Sequence, residues 1–150
     1  MWFNKVTSDI THLPAFLDYY DQQISTAKLE CKIRGNLEKQ VADLPGIVEH
    51  RFNQLQEIEA VLEHMQIELR RIRRKHFKIF LEGYDKALSS RDAEKYADGE
   101  EEVLDQEHII NQIALVRNRY LGIMKGIDAK NFMVGHITRI RAAGLEDISV

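Results

Sequence analysis

The sequence predicts an all-α protein: a long antiparallel helical hairpin with an N-terminal helix before it and a short C-terminal helix after it. Three observations predict this. Leu55, Ile58, Leu62, Met65, Leu69 and Ile72 step alternately by three and four residues, the roughly 3.5-residue period of a helix–helix seam. Ile109, Ile113, Val116, Tyr120, Ile123 and Ile127 repeat the pattern, and two long helices with matching seams point to a hairpin. Pro and Gly, at 2 and 8 of 150 residues, are too scarce for a turn-rich β fold.

The length and the 44% hydrophobic content fit one helical domain over residues 1–150 with its own core. The single Cys31 excludes a disulfide framework or a Cys-ligated zinc site, and a reducing cytosolic home is expected. Met1-Trp2-Phe3-Asn4-Lys5 lacks the apolar stretch of a signal peptide. The least charged stretch, Ile109 to Val116, is too short to span a bilayer.

Taken in order, the N-terminal helix or arm covers residues 1–43. Pro14 suits a first helical turn, and Leu13, Phe16, Leu17, Tyr20 and Ile24 recur at helical spacing. This helix fades between Cys31 and Gly35, and residues 36–43 fit either a short helix or an extended arm. Leu44-Pro45-Gly46 is the sharpest punctuation, and a long basic helix over 44–88 is expected to start just after it. Its seam adds Val48 and Ile79, and it ends near Gly83. Ser89-Ser90-Arg91-Asp92 reads as a loop leading into a helix N-terminus, opening an acidic segment that Asp98-Gly99 interrupts. The C-terminal helices complete residues 89–150. A break is expected from Asp128 to Asn131, followed by a short amphipathic helix with Phe132, Val134, Ile137 and Ile140 as its apolar members.

The net charge of -3 excludes a globally basic DNA packer, but the charge is sorted along the chain. Arg70, Arg71, Arg73, Arg74, Lys75 and Lys78 form a tract without an acid. Asp92 to Glu107 is acidic, with Lys95 its only base. From Arg117 to Arg141 bases again dominate. On a helix, Arg71, Arg74, Lys75 and Lys78 fall at i, i+3, i+4 and i+7, hence on one face. Like charges so close repel, and a polyanion along that face relieves the repulsion and releases counterions. Phe77, Phe80 and Tyr84 lie in or just after the tract, and cations with aromatic platforms suit a single strand of nucleic acid. A solvated basic face with the aromatics in the core explains the same residue types. Likewise, the acids suit a helix start, a basic partner, or the basic tract of a neighbouring subunit.

No phosphate-cradling Gly-rich loop is present. The histidines, His12, His50, His64, His76, His108 and His136, have neither zinc-protease spacing nor the Glu-x-x-His of a di-iron bundle. The expectation is therefore a non-enzyme without cofactor or metal.

Three stretches resemble the UvsY recombination mediator family of T-even-type bacteriophages. Leu44-Pro45-Gly46-Ile47-Val48-Glu49-His50-Arg51-Phe52 is similar to the Pro-containing element that opens the family's long helix. Lys75-His76-Phe77-Lys78-Ile79-Phe80-Leu81-Glu82-Gly83 looks like its basic stretch running into an aromatic pair and a glycine. Ile123 to Ile137 resembles the terminal Leu-x-x-Ile-x-x-Arg/Lys-x-Phe/Tyr-x-Ile-x-x-Ile pattern without a gap. The resemblance covers about Leu44 to Gly144. It departs at Phe80-Leu81, where the family has two aromatics. Of the family's two important DNA-binding cations, Lys75 matches one, while the other position holds Phe77, with Lys78 or Arg74 as substitutes.

The resemblance implies a ring-like homo-oligomer, hexamer or heptamer, in the cytoplasm of an infected bacterial host cell. Such a protein binds single-stranded DNA, contacts a recombinase and a single-strand-binding protein, and helps load the first onto strands covered by the second. Arg70, Arg71, Arg73, Arg74, Lys75, Phe77 and Lys78 would then meet DNA. Ile109, Ile113, Val116, Tyr120, Ile123, Ile127, Phe132, Val134 and Ile137 would carry subunit association. The alternative is a helical adaptor whose basic and acidic segments pair between subunits without binding DNA.

Overall fold

The computed structural model describes residues 1–83 and 87–144, and among these there is no strand. Five α-helices follow one another: α1 (Trp2–Ser8), α2 (Leu13–Glu30), α3 (Leu37–Glu82), α4 (Ser90–Asp98) and α5 (Glu101–Ala142), with a 3₁₀ turn (Ile10–His12) between the first two.

Local chemistry sets most of the boundaries. The Asp9 carboxylate accepts from the Thr11 N–H at 2.9 Å and the Thr11 hydroxyl at 2.7 Å, closing α1 and opening the 3₁₀ turn. These hydrogen bonds hold the Asp9 carboxyl below its usual range. Pro14 sits in the first turn of α2, where its missing N–H is not needed. After α2, Gly35 takes a φ of +73°, which any other residue would resist, and Asn36 Oδ1 accepts from the Lys39 N–H to cap α3. Ser89 Oγ accepts from the Asp92 N–H at 3.2 Å and donates to Asp92 Oδ2 at 2.7 Å, so the expected helix start is a reciprocal cap. Asp98-Gly99 does separate two helices, and Glu101 and Glu102 occupy the first turn of α5, where the helix dipole favours acids.

Two expected breaks are absent. α3 runs straight through Pro45, so residues 36–43 are neither arm nor separate helix, and the long helix starts at Leu37 rather than after Gly46. Proline inside a helix removes one hydrogen bond and costs about 3 kcal/mol. Here Leu44 is buried with Ala27, Ile123 and Ile127, and Ile47 and Val48 pack beside it. That burial, roughly 2 kcal/mol for a leucine alone, holds the turn helical. Nor does Asp128–Asn131 break α5: Phe132, Val134, Ile137 and Ile140 continue the same helix to Ala142 instead of forming a separate short one. Those residues include no Gly or Pro, and Ile127 and Val134, one heptad apart, are both buried. Lys130 is itself buried and donates to the Glu30 carbonyl at 2.8 Å, satisfying the end of α2.

The chain divides into two compact units. The first comprises Met1–Leu13 and Glu57–Val116. Its buried side chains are led by Val6, Ile58, Val61, Val103 and Ile113, and Gln106 Nε2 donates to the Met65 carbonyl at 3.0 Å within it. α1 belongs here: Glu57 Oε1 accepts from the Phe3 N–H at 2.9 Å, and the Phe3 ring meets His64 edge-on. The second comprises Pro14–Gln56 and the chain from Arg117. Phe16, Tyr20, Ile24, Tyr120 and Ile127 are buried there, with the Tyr20 and Tyr120 rings edge to face at 5.6 Å.

Candidate nucleic-acid interface

The basic tract lies in the last third of α3, in the first unit. Helical periodicity sorts it into two faces. Arg71, Arg74, Lys75 and Lys78 are all exposed, as their spacing predicts. Arg70, at the edge of this stripe, is exposed and only loosely paired, 3.4 Å from Glu63. Arg73, His76, Phe77 and Phe80 are half-buried on the other side.

That other side meets the acidic segment of the same unit. Arg73 lies between Asp98 at the end of α4, at 3.2 Å, and Glu107 of α5, at 2.5 Å. Glu102 meets two side-chain nitrogens on one oxygen: His76 Nε2 at 2.8 Å and Lys75 Nζ at 3.1 Å. Those two hydrogen bonds, His76 first, hold the Glu102 carboxyl below its usual range. The Phe80 ring stacks on Tyr96 of α4, with centroids 5.5 Å apart and planes 28° apart. Arg73, Phe77 and Phe80 thus do not belong to the outward stripe, and Tyr84 lies outside the described residues.

On the stripe, Arg71 is held by Glu68, one turn back, at 2.7 Å. Lys75 reaches across to Glu102. Arg74 and Lys78 have no acidic partner among the described residues. Lys75, Lys78, Ile79, Glu82 and Gly83 line a shallow depression of about 440 Å³. Its apolar floor is Ile79, which belongs to the predicted seam yet is 53% exposed. Residue spacing alone marks Glu68 as a partner of Arg71. Glu102, Tyr96 and the exposure of Ile79 have no local signal, because they depend on how α4 and the start of α5 pack on α3.

The residues expected to join subunits are mostly inside the chain. Ile113 and Val116 are buried in the first unit, and Tyr120, Ile123, Ile127 and Val134 in the second. Ile109 and Ile137 are half-buried, and only Phe132, at 67% exposure, stands out to solvent. The second unit does carry an apolar groove of about 530 Å³, with Val41, Pro45, Val48 and Phe52 on one wall and Ile127 on the other.

Among the described residues no group of His, Cys, Asp or Glu is arranged to hold a metal ion. No helix there is long and apolar enough to cross a membrane. Comparison with protein-family models, curated proteins and solved structures finds no match.

Proposed function

We propose that this protein is a non-enzymatic recombination mediator that binds single-stranded DNA along the exposed stripe Arg71, Arg74, Lys75 and Lys78. The observation that carries the reading is that Arg71, Arg74, Lys75 and Lys78 share one exposed side of a helix while Arg73, His76, Phe77 and Phe80 are half-buried on the other. A phosphate backbone laid along the stripe neutralises charges that otherwise repel one another and releases its own counterions. The half-buried Phe77 and the Phe80–Tyr96 stack do not lie on this stripe, so phosphate contacts supply the affinity and base identity matters little.

Each subunit's contact is weak, and several subunits in one ring-like assembly hold a strand multivalently. With its seam occupied inside the chain, such an assembly draws on surface left outside, such as the Val41–Phe52 groove or Phe132. A multivalent, salt-sensitive grip is what a mediator needs to occupy a strand and then yield it to a recombinase, in exchange with a single-strand-binding protein.

Titration of a labelled oligothymidylate by fluorescence anisotropy tests this. Binding is expected to weaken with salt, and R74A/K78A to lose roughly tenfold or more in affinity. Equal binding by that variant, or binding indifferent to salt, overturns the reading. The adaptor alternative predicts that the same variant changes the molar mass in light scattering and leaves DNA binding absent in both proteins.

A further inference from the structure

The four stripe cations are not equivalent, and the difference has a function. We propose that Glu68 and Glu102 are built-in competitors for the polyanion: they occupy Arg71 and Lys75, leaving each subunit two committed cations, Arg74 and Lys78. The proposal rests on the single-stranded-DNA reading above and adds how its affinity is set.

Three features of the geometry support it. First, both carboxylates approach the stripe from its flank. Glu68 is on α3 itself, three residues before Arg71, and Glu102 comes from the first turn of α5. Second, Glu102 is doubly anchored. His76, largely buried, holds the same carboxylate oxygen that Lys75 approaches, so the carboxylate stays in place whether or not Lys75 leaves. Third, Lys75 is 60% exposed and Arg71 73%, so both can turn to solvent without dragging core packing with them.

The consequence appears in the salt dependence. A free cation that meets a phosphate releases about 0.7 of a counterion from a single strand. A cation moved from a carboxylate to a phosphate also releases one, but the vacated carboxylate takes up a cation from solution, and the two nearly cancel. Each wild-type subunit therefore contributes a log–log salt slope of about -1.4, from Arg74 and Lys78, rather than about -2.8 from four cations.

The experiment compares wild type, E68Q, E102Q, E68Q/E102Q and E101Q with the same oligothymidylate between about 50 and 200 mM salt. E101Q is the control, because it removes the same charge from an exposed neighbour that touches no stripe cation in the described structure. E102Q is expected to bind roughly three- to tenfold tighter than E101Q at the low-salt end, with a slope steeper by about 0.7. E68Q/E102Q should reach about -2.8 per subunit. K75M should cost little in wild type and much more in the E102Q background. Every protein is to be melted first, and only variants with the wild-type transition are compared. A wild-type slope already near -2.8 that the substitutions leave unchanged overturns the competitor role. So does an E102Q curve that superimposes on E101Q. Absence of salt-dependent binding by every protein overturns the underlying DNA reading instead.

Discussion

The Arg51 guanidinium grips the Glu30 carboxylate with two parallel hydrogen bonds, Nε to Oε2 at 2.8 Å and Nη2 to Oε1 at 2.7 Å. Its remaining nitrogen, Nη1, donates to Gln23 Oε1 and Gln54 Oε1, and Tyr120 donates to Gln54 from the other side. All three nitrogens of a side chain only 3% exposed are used. A planar fork with this many fixed acceptors is a task lysine cannot perform. The network ties α2, α3 and α5 of the second unit together.

R51A is therefore expected to destabilise the fold by about 3–5 kcal/mol, because it leaves the Glu30 carboxylate without its guanidinium partner and takes one donor each from the Gln23 and Gln54 amide oxygens. R51K should recover only part of that loss. R51M/E30Q should be less damaging than R51A, since it removes both charges together and keeps the volume. Urea unfolding followed by circular dichroism measures all three. A denaturation midpoint for R51A equal to wild type contradicts the account.

Tyr120 links this network to pH. Burial pushes its hydroxyl up to about 12, with Arg51 opposing the rise. In the unfolded chain the hydroxyl ionises near 10. The sign follows directly. Below about pH 10 both states hold the proton and the tyrosine's contribution is whole; between about pH 10 and 12 only the unfolded chain loses it, so stability falls with rising pH. The total is roughly 3 kcal/mol. Y120F removes this titration, at a constant cost of about 1 kcal/mol for the lost bond to Gln54. Unfolding free energies at about pH 9 and pH 11 should thus converge between wild type and Y120F; parallel profiles would show that the burial argument is mistaken.

Gly126 permits a close approach inside α5. A Cβ placed there meets Cys31 Sγ at 2.9 Å and Cys31 Cβ at 3.5 Å. The Cys31 thiol points at the Ile123 carbonyl, 3.7 Å away, and burial pushes its pKa up. G126A is expected to cost about 1–3 kcal/mol through overpacking, although alanine is the better helix former by about 1 kcal/mol. In a C31A background the sulfur is gone and the second contact is ordinary, so the same substitution should become neutral or stabilising. A double-mutant cycle by thermal melting decides it, and additivity of the two changes would disprove the contact.

Comparison of particular residues shows what the sequence carries and what it does not. Periodicity locates the middle of both seams: Leu55, Ile58, Leu62 and Met65 in α3, and Ile113, Val116, Tyr120, Ile123 and Ile127 in α5, are buried. The Ser89 cap and the Asp98-Gly99 separation are legible because capping is a local interaction. Pro45 and Asp128–Asn131 mislead because burial of Leu44, Ile127 and Val134, a tertiary effect, outweighs local signals. At the candidate site, i, i+3, i+4, i+7 spacing correctly puts Arg71, Arg74, Lys75 and Lys78 together. Spacing cannot foresee that Arg73 and His76 are claimed by Asp98, Glu102 and Glu107, more than twenty residues away.

Pro45 allows the continuity of α3 to be measured. Inside a helix its ring displaces the hydrogen bond that residue 45 would donate to the Val41 carbonyl, and α3 passes through this point without ending. P45A restores that donor and removes the ring clash, a gain of up to about 3 kcal/mol. Against it stands the entropy that proline removes from the unfolded chain, about 0.4–1 kcal/mol. Some apolar lining of the Val41–Phe52 groove is lost as well. The first term is the larger, so P45A is expected to stabilise the protein by about 1–2 kcal/mol and to slow exchange of the amides from position 45 through Glu49. P45G adds the donor but also chain freedom, and should fall below P45A by about 1 kcal/mol. If P45A instead lowers the melting temperature with no added amide protection, the helix begins after Gly46 and the seven residues from Leu37 to Asp43 form a separate segment.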